Sequence, residues 1–213
     1  MEKKTEEIIK LLSLNYPNPT TALNFSTPFE LLVATILSAQ TTDVQVNKVT
    51  KELFKTHPRP EDFAEMEAKE LEEKIKSIGL FRNKAKFIVK TSKMILENYD
   101  GKVPETRKEL IKLSGVGRKT ANVVLANAFD KPAFPVDTHV FRVSARLGLA
   151  DGKNVQKTEE KLTRKVDKKY WIDLHHWLIN HGRAVCKAQN PDCENCFLSH
   201  LCKYYQNTKG ELL

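Results

Sequence analysis

The stretch LSGVGRKTANVVLANAFDKPAFPVDTH, residues 113–139, organises the reading of this chain. Leu110 and Leu113 close an amphipathic segment that begins after Pro104, a residue suited to a helix's first turn. Gly115 and Gly117 then flank Val116. Glycine tolerates positive φ and lets another backbone come close, so the pair predicts a tight reversal with Val116 tucked into the core between two helices. From Arg118 onward, Ala121, Val124, Leu125 and Ala128 fall at helical spacing. A helix N-terminus with free N–H groups beside a glycine turn suits a phosphate. An ordinary connection between two helices of a bundle fits the turn as well, because short Gly-rich motifs recur by chance.

The pattern Leu113-x-Gly115-Val116-Gly117-x-x-Thr120-Ala121 resembles the helix-hairpin-helix of DNA base-excision glycosylases. Lys119 followed by Val136-Asp137-Thr138-His139 resembles the endonuclease III branch of that group, and the resemblance runs over nearly the whole chain. It implies that Gly115, Val116, Gly117, Arg118 and Thr120 hold the backbone of double-stranded DNA. It also implies that Lys119 is a nucleophile and Asp137 its catalytic partner.

The 213 residues suffice for one large domain or two small ones, and 40% are hydrophobic, enough for a core. No stretch approaches the roughly 20 apolar residues of a membrane span. The start Met1-Glu2-Lys3-Lys4-Thr5-Glu6-Glu7 does not read as a signal peptide. A net charge of +8 favours an anionic partner, though many basic proteins bind no nucleic acid. The compact length without a targeting extension has a bacterial or archaeal look; the expected location is the cytoplasm, on nucleoid DNA, and the expected state a monomer.

The predicted secondary structure is all-α, without low-complexity linkers or repeats. Ile8, Ile9, Leu11 and Leu12 mark a first helix that ends near Tyr16-Pro17. Thr27-Pro28-Phe29-Glu30 reads as a capping box opening a largely apolar helix that stops near Ser38. Helices follow through Val46 to Phe54, around Asp62 to Met66, through Leu71, Ile75 and Ile78, and from Ala85 to Asn98. After the hairpin, Asp137 is placed to cap a helix holding Val140, Val143 and Leu147, with Gly148 past its end. Residues 155–166 and 171–184 complete the set.

All four cysteines lie within Cys186-x6-Cys193-x2-Cys196-x5-Cys202, and none precedes them. A disulfide framework would spread its bridges, and without an export signal a metal or cluster site in a reducing cytosol fits better. Structural zinc sites usually show two close pairs, whereas only one pair is close here. Four thiolates in one compact loop suit a [4Fe–4S] cluster, with zinc and free thiols as alternatives. The spacing also matches the cluster loop of the endonuclease III family. Arg183, Lys187 and Lys203 flank the thiols, so the loop could meet phosphates or merely staple the C-terminal region.

A lysine attacks carbon only as the neutral amine, and its reference pKa is about 10.4. A helix N-terminus, the adjacent Arg118 and burial would each favour the neutral form of Lys119. By residue physics alone a phosphate contact is the plainer role for such a lysine. Taken alone, Asp137 reads as a helix cap; by the resemblance it is also the anion that stabilises oxocarbenium-like charge and assists proton transfers to and from the lysine. The resemblance implies a two-stage reaction. A damaged pyrimidine is flipped from the duplex, and Lys119 displaces it at C1′. β-elimination through the Schiff base then cuts the strand 3′ to the abasic site.

By the same resemblance Gln40 fills the hole left by the flipped base, and Leu80 wedges the opposite strand. Taken alone, Gln40 reads as a polar residue ending a helix and Leu80 as a buried loop anchor. Asp43 and His139 match pocket positions, although a lone His is more often a hydrogen-bonded structural residue. Three positions depart from the family pattern: Phe81 where Tyr is usual, Ser114 where Pro is common, and Asp130 where Gly often follows Phe.

The implied architecture has two helical lobes. Residues 21–131 form a helical barrel that contains the hairpin at about 106–129. Residues 1–20 with 132–213 form a cluster lobe whose loop spans 186–202. DNA would lie along a basic groove between the lobes, with Lys119 and Asp137 facing each other across it. The nearest enzymatic rival, a mismatch adenine glycosylase, lacks a lysine at position 119 and carries a further domain, whereas 11 residues follow Cys202 here. The non-enzyme rival is an iron–sulfur protein that uses the hairpin only to hold DNA or transfers electrons.

Overall fold

The computed structural model describes residues 1–210. Among them every regular element is helical and there is no strand. Residues 211–213, the end of the expected cluster lobe, lie outside the described set. The chain packs as two compact units, Thr21–Lys131 and Met1–Thr20 with Pro132–Leu213.

The continuous unit is built round α2 (Pro28–Ser38), flanked by α3 (Asp43–Thr56), α6 (Phe81–Tyr99) and α8 (Arg118–Ala128). Every residue of α2 from Phe29 to Leu37 is buried, so an all-round apolar helix occupies the centre of its unit. Thr27 caps it: Glu30 N–H donates to Thr27 Oγ1 at 3.2 Å, and Pro28 takes the first helical position. The return bond of the expected capping box lands one residue earlier, from Ser26 N–H to Glu30 Oε2 at 2.6 Å. The small helices α4 (Pro60–Ala64), α5 (Ala68–Lys74) and α7 (Arg107–Leu110) complete this unit.

Three expectations shift here. α4 begins at Pro60, two residues before the predicted Asp62, because proline suits the first helical position. α5 stops at Lys74, and Ile75 and Ile78 enter the core from a turn closed by Ile78 N–H on Ile75 O at 2.8 Å. The segment after Pro104 is a single helical turn, capped by Thr106.

In the second unit α9 (Thr138–Leu147) packs against α11 (Trp171–Ala184), which also meets α1 (Lys3–Asn15). α10 (Val155–Lys165) adds Leu162 to a core of Ile8, Leu12, Val140, Val143, Leu174 and Leu178. Burying each such side chain is worth about 1.5–3 kcal/mol. Trp177 Nε1–H donates to Tyr16 O at 3.0 Å, tying the end of α1 to α11. A C-terminal helix, α12 (Lys203–Gly210), and 3₁₀ turns at Lys168–Tyr170 and Ser199–Leu201 were not anticipated.

Candidate active site

The hairpin turn is fixed from behind by α6. Gly115 has φ +74°, and a Cβ there would come within 2.7 Å of Phe87 Cβ. Conformation and space therefore both demand glycine at this position. Thr91 on α6 donates its hydroxyl to Ser114 O at 2.7 Å. Val116 is buried as expected, and its N–H donates to Leu113 O at 3.2 Å.

Gly117 differs from Gly115. Its φ of −89° is open to any residue, and a Cβ would meet nothing within 4 Å. Its own chain does not require glycine at this point. Gly117 is the N-cap of α8, and no side chain caps that helix, whereas Thr42, Asp137 and Asn154 cap α3, α9 and α10. The start of α8 is thus an uncapped row of backbone donors beside open space, a setting suited to a phosphate.

Arg118, Lys119 and Thr120 occupy the first three positions of α8. Lys119 is exposed, so burial does not contribute to favouring its neutral amine. Ala121, Val124 and Leu125 bury the opposite side of α8, which packs on α2.

Asp137 is the N-cap of α9. Val140 N–H donates to its Oδ1 at 2.7 Å, and Gly148 ends the helix at φ +77°, both as expected. His139 is half-buried. Arg142 Nη2 donates to its Nδ1 at 3.2 Å, so the ring proton sits on Nε2. Burial holds His139 below the ordinary imidazole range, against the opposing pull of Asp137. The imidazole is therefore neutral near pH 7.

Gln40 and Leu80 both adopt the left-handed region, at φ 55° and 57°. That is uncommon for any residue but glycine, and rare for a bulky one. Leu80 is 55% exposed, which overturns its reading as a buried anchor. Gln40 is also exposed, just beyond α2. Asp43 is half-buried at the first position of α3, whose N-cap Thr42 accepts from Gln45 N–H at 3.3 Å.

Cys186, Cys193, Cys196 and Cys202 line one cavity, together with His181, Leu147 and Tyr205. Among the described residues no three His, Cys, Asp or Glu side chains converge closely enough to share a single ion. Four thiols round one common space are a donor set that fits an iron–sulfur cluster. Burial pushes the Cys196 thiol up to about 11, with Cys202, Cys186 and Cys193 adding to the rise. A cationic centre would be needed to hold four thiolates there at neutral pH.

Residues 33–168 match the family described as HhH-GPD superfamily base excision DNA repair protein, and residues 186–202 match the iron-sulfur binding domain of endonuclease III. The chain is 50% identical to endonuclease III of Escherichia coli over 94% of this chain and 95% of that one. To endonuclease III of Bacillus subtilis it is 53% identical over 94% and 92%. The chain belongs to the endonuclease III family. It superposes with a TM-score of 0.91 and 45% identity on a trapped endonuclease III–DNA covalent intermediate, covering 98% of this chain and all of that one. A thermostable thymine-DNA glycosylase aligns at 0.87 with 27% identity, over 96% and 98%. The chain is accordingly a DNA N-glycosylase and AP lyase of base excision repair that binds DNA and uses a [4Fe–4S] cluster.

Two of the departures from the family pattern acquire local meaning. Asp130 has φ 49°, so glycine in other members would sit there unstrained. Ser114 supplies the carbonyl that Thr91 holds, so a side-chain clamp from α6 stiffens a turn that lacks proline. Phe81 lies beneath the Arg82 guanidinium at 5.1 Å.

The cysteine loop is held by residues that sequence reading passed over. Arg142 Nε donates to Cys186 O at 3.1 Å, and its Nη2 to Gly182 O at 3.0 Å. One turn later, Arg146 donates to Lys187 O at 2.7 Å, to Ala188 O at 3.1 Å and to Cys186 Sγ at 3.4 Å. Their four-residue spacing on α9 was the available signal, since such residues share a helix face. His181 Nε2 lies 3.5 Å from Cys196 Sγ, and its Nδ1 lies 3.1 Å from Tyr16 Oη. With its proton on Nε2, His181 donates to Cys196 Sγ and accepts the Tyr16 hydroxyl at Nδ1. Burial lowers His181 to about 4 and raises Tyr16 to about 12, so both stay neutral.

Proposed function

We propose that this glycosylase and lyase acts as a monomer on oxidised or ring-damaged pyrimidines in nucleoid DNA, with Lys119 as nucleophile. The observation that carries this reading is the exposed Lys119 at the second position of an uncapped helix launched by the Gly115–Gly117 turn. The Lys119 amine forms a bond to C1′ as the glycosidic C–N bond breaks, and the base departs with that electron pair and takes a proton. The sugar ring opens to an imine. Loss of a 2′ proton then expels the 3′ phosphate by β-elimination, and water releases the lysine. Asp137 supplies an anion that stabilises the oxocarbenium-like charge developing on the sugar. Asp43 and the neutral His139 are each assigned to the extruded base, Gln40 fills the vacated stack, and Leu80 parts the opposite strand. Cys186, Cys193, Cys196 and Cys202 ligate the cluster, and the neighbouring exposed Lys187 and Lys203 favour contact between this loop and phosphates. Base release from duplexes that each carry one lesion tests the substrate class. Thymine glycol and an abasic site should be processed, with intact pairs untouched; release only of an alkylated purine or of mismatched thymine would overturn the assignment.

The two glycines of the turn should separate folding from binding. Gly115→Ala meets both positive φ and Phe87, and should lower stability by about 2–4 kcal/mol. Gly117→Ala meets open space, so stability should fall by no more than about 1 kcal/mol, the loss of a tolerable N-cap. Its duplex affinity should nevertheless drop about tenfold, because the added methyl occupies the approach to the α8 donors. Thermal melts beside fluorescence-anisotropy titrations check both.

Asp137→Asn separates cap from charge. Asn caps helices as well as Asp, so the melting temperature should hold to within the equivalent of about 0.5 kcal/mol. Base release in single-turnover assays should fall about 10²–10³-fold, because the anion is gone. A variant that loses stability and activity together would reduce Asp137 to its cap.

A further inference from the structure

The strongest unexplained group in the continuous unit is a lysine buried without an acid. Lys84 is 3% exposed. Its Nζ donates to Leu37 O at 2.8 Å, to Ala39 O at 2.5 Å and to Thr41 Oγ1 at 3.2 Å. Two carbonyls and a hydroxyl use all three ammonium donors, and no carboxylate is among them. The carbonyls belong to the C-terminal end of α2, where the helix dipole welcomes a cation. Burial holds the amine below its ordinary range, so the charge is kept here against a desolvation penalty. An apolar side chain would fill the same space without that penalty, which argues for a role beyond packing.

The bonds of Lys84 reach both exposed left-handed residues. Its own backbone N–H donates to Leu80 O at 3.1 Å, closing the first turn of α6. Its ammonium grips the carbonyls and hydroxyl on either side of Gln40. Thr41 Oγ1 also accepts from Gly79 N–H at 3.2 Å. Gly79 packs so closely that a Cβ would lie 3.1 Å from Gln40 O. Farther along, Gln45 Nε2 donates to Ser77 Oγ at 2.8 Å. The loops carrying Gln40 and Leu80 are therefore one cross-bonded body, with Lys84 and Thr41 at its centre.

We propose that Lys84 is a positioning residue that locks the Gln40 and Leu80 loops at fixed spacing, so that both side chains enter the DNA stack as one rigid wedge. This rests on the wedge assignment of Gln40 and Leu80. Opening a base step is then a single concerted insertion, and two strained residues are held ready by one buried cation. Lys84 touches no reacting atom; it acts through the loops. The step most sensitive to it is extrusion of a paired base, which must be unstacked, and the least sensitive is cleavage at an abasic site, where no base remains to be moved.

The test compares wild type with Lys84→Met, Lys84→Arg and Thr41→Val, using the intact cluster-loaded protein. One duplex carries a single thymine glycol beside 2-aminopurine, and a second carries a preformed abasic site. Lys84→Met is expected to slow base release about 10–100-fold while abasic-site cleavage changes less than about threefold. The rise in 2-aminopurine fluorescence that reports unstacking should be lost with it. Lys84→Arg, which keeps the charge, should recover part of the signal. Thr41→Val removes one shared acceptor and should give a loss of about 3–10-fold, which decides the matter if Lys84→Met does not fold. Leu80→Ala run alongside separates the two levels. If Leu80→Ala leaves the fluorescence unchanged, the wedge assignment itself is wrong. If Leu80→Ala abolishes it but Lys84→Met or Thr41→Val does not, the wedge stands and the role of Lys84 is overturned. Equal slowing on both duplexes would reduce Lys84 to a structural anchor.

Discussion

Lys119→Gln should leave the fold and duplex affinity close to wild type and remove strand cleavage at an abasic site by at least about 10⁴-fold. The expectation of an intact fold comes from position. Lys119 is exposed at the second position of α8, while the buried face of that helix is carried by Ala121, Val124 and Leu125. Surface substitutions of this kind stay within about 0.5 kcal/mol, and Gln is as good a helix former as Lys. The chemical loss follows from the amide. It has no nucleophilic amine, forms no imine, and so cannot acidify the 2′ hydrogens whose removal breaks the strand. Single-turnover cleavage on gels, with anisotropy for binding, measures both halves. If strand cleavage survived, another amine would be the nucleophile. If binding collapsed as well, Lys119 would be chiefly a phosphate contact.

The second large effect concerns the cluster loop. Cys202→Ala should abolish the iron–sulfur absorbance and open residues 186–202 to protease, with the loop's own lobe destabilised by several kcal/mol. Beyond the arginine contacts near residues 186–188, the loop has little apolar burial to order it. Between 186 and 202 only Leu198 and Cys202 are buried, and the regular structure amounts to the 3₁₀ turn Ser199–Leu201. So little apolar burial does not offset the chain entropy of ordering such a segment, about 1–2 kcal/mol per residue. Thr21–Lys131 has its own core and should be untouched, so helical circular dichroism should fall only in part. Limited proteolysis with mass mapping, beside iron content, checks this. A loop that stayed protected without iron would mean that Arg142 and Arg146 hold it unaided.

What the sequence made legible were features with local causes. The bounds of α11 and the cap and end of α9 follow from hydrophobic period, an Asp and a Gly, and they appear as expected. The cysteine spacing and the Lys119–Asp137 motif carried the family by resemblance, and the comparisons bear the family out. Less visible were features that depend on partners far along the chain. Lys84 is one charged residue in an amphipathic helix until its acceptors, 43–47 residues away, fold against it. Taken alone, Leu80 reads as a buried loop anchor and only the resemblance makes it a wedge; it stands exposed on a left-handed backbone at the start of α6. The exposure of Lys119 agrees with its plain reading as a lysine beside a turn, whereas its assignment as nucleophile comes only from the resemblance. His181 and Tyr16, 165 residues apart, meet only in the folded lobe.

The central claim is a covalent lysine intermediate, and borohydride trapping on a duplex carrying one thymine glycol tests it most directly. Reduction converts a Schiff base to a stable protein–DNA bond. Wild type should yield a slow-migrating adduct that maps to Lys119, and Lys119→Gln should yield none. Base release without any adduct would contradict the account, because the base would then leave by attack of water.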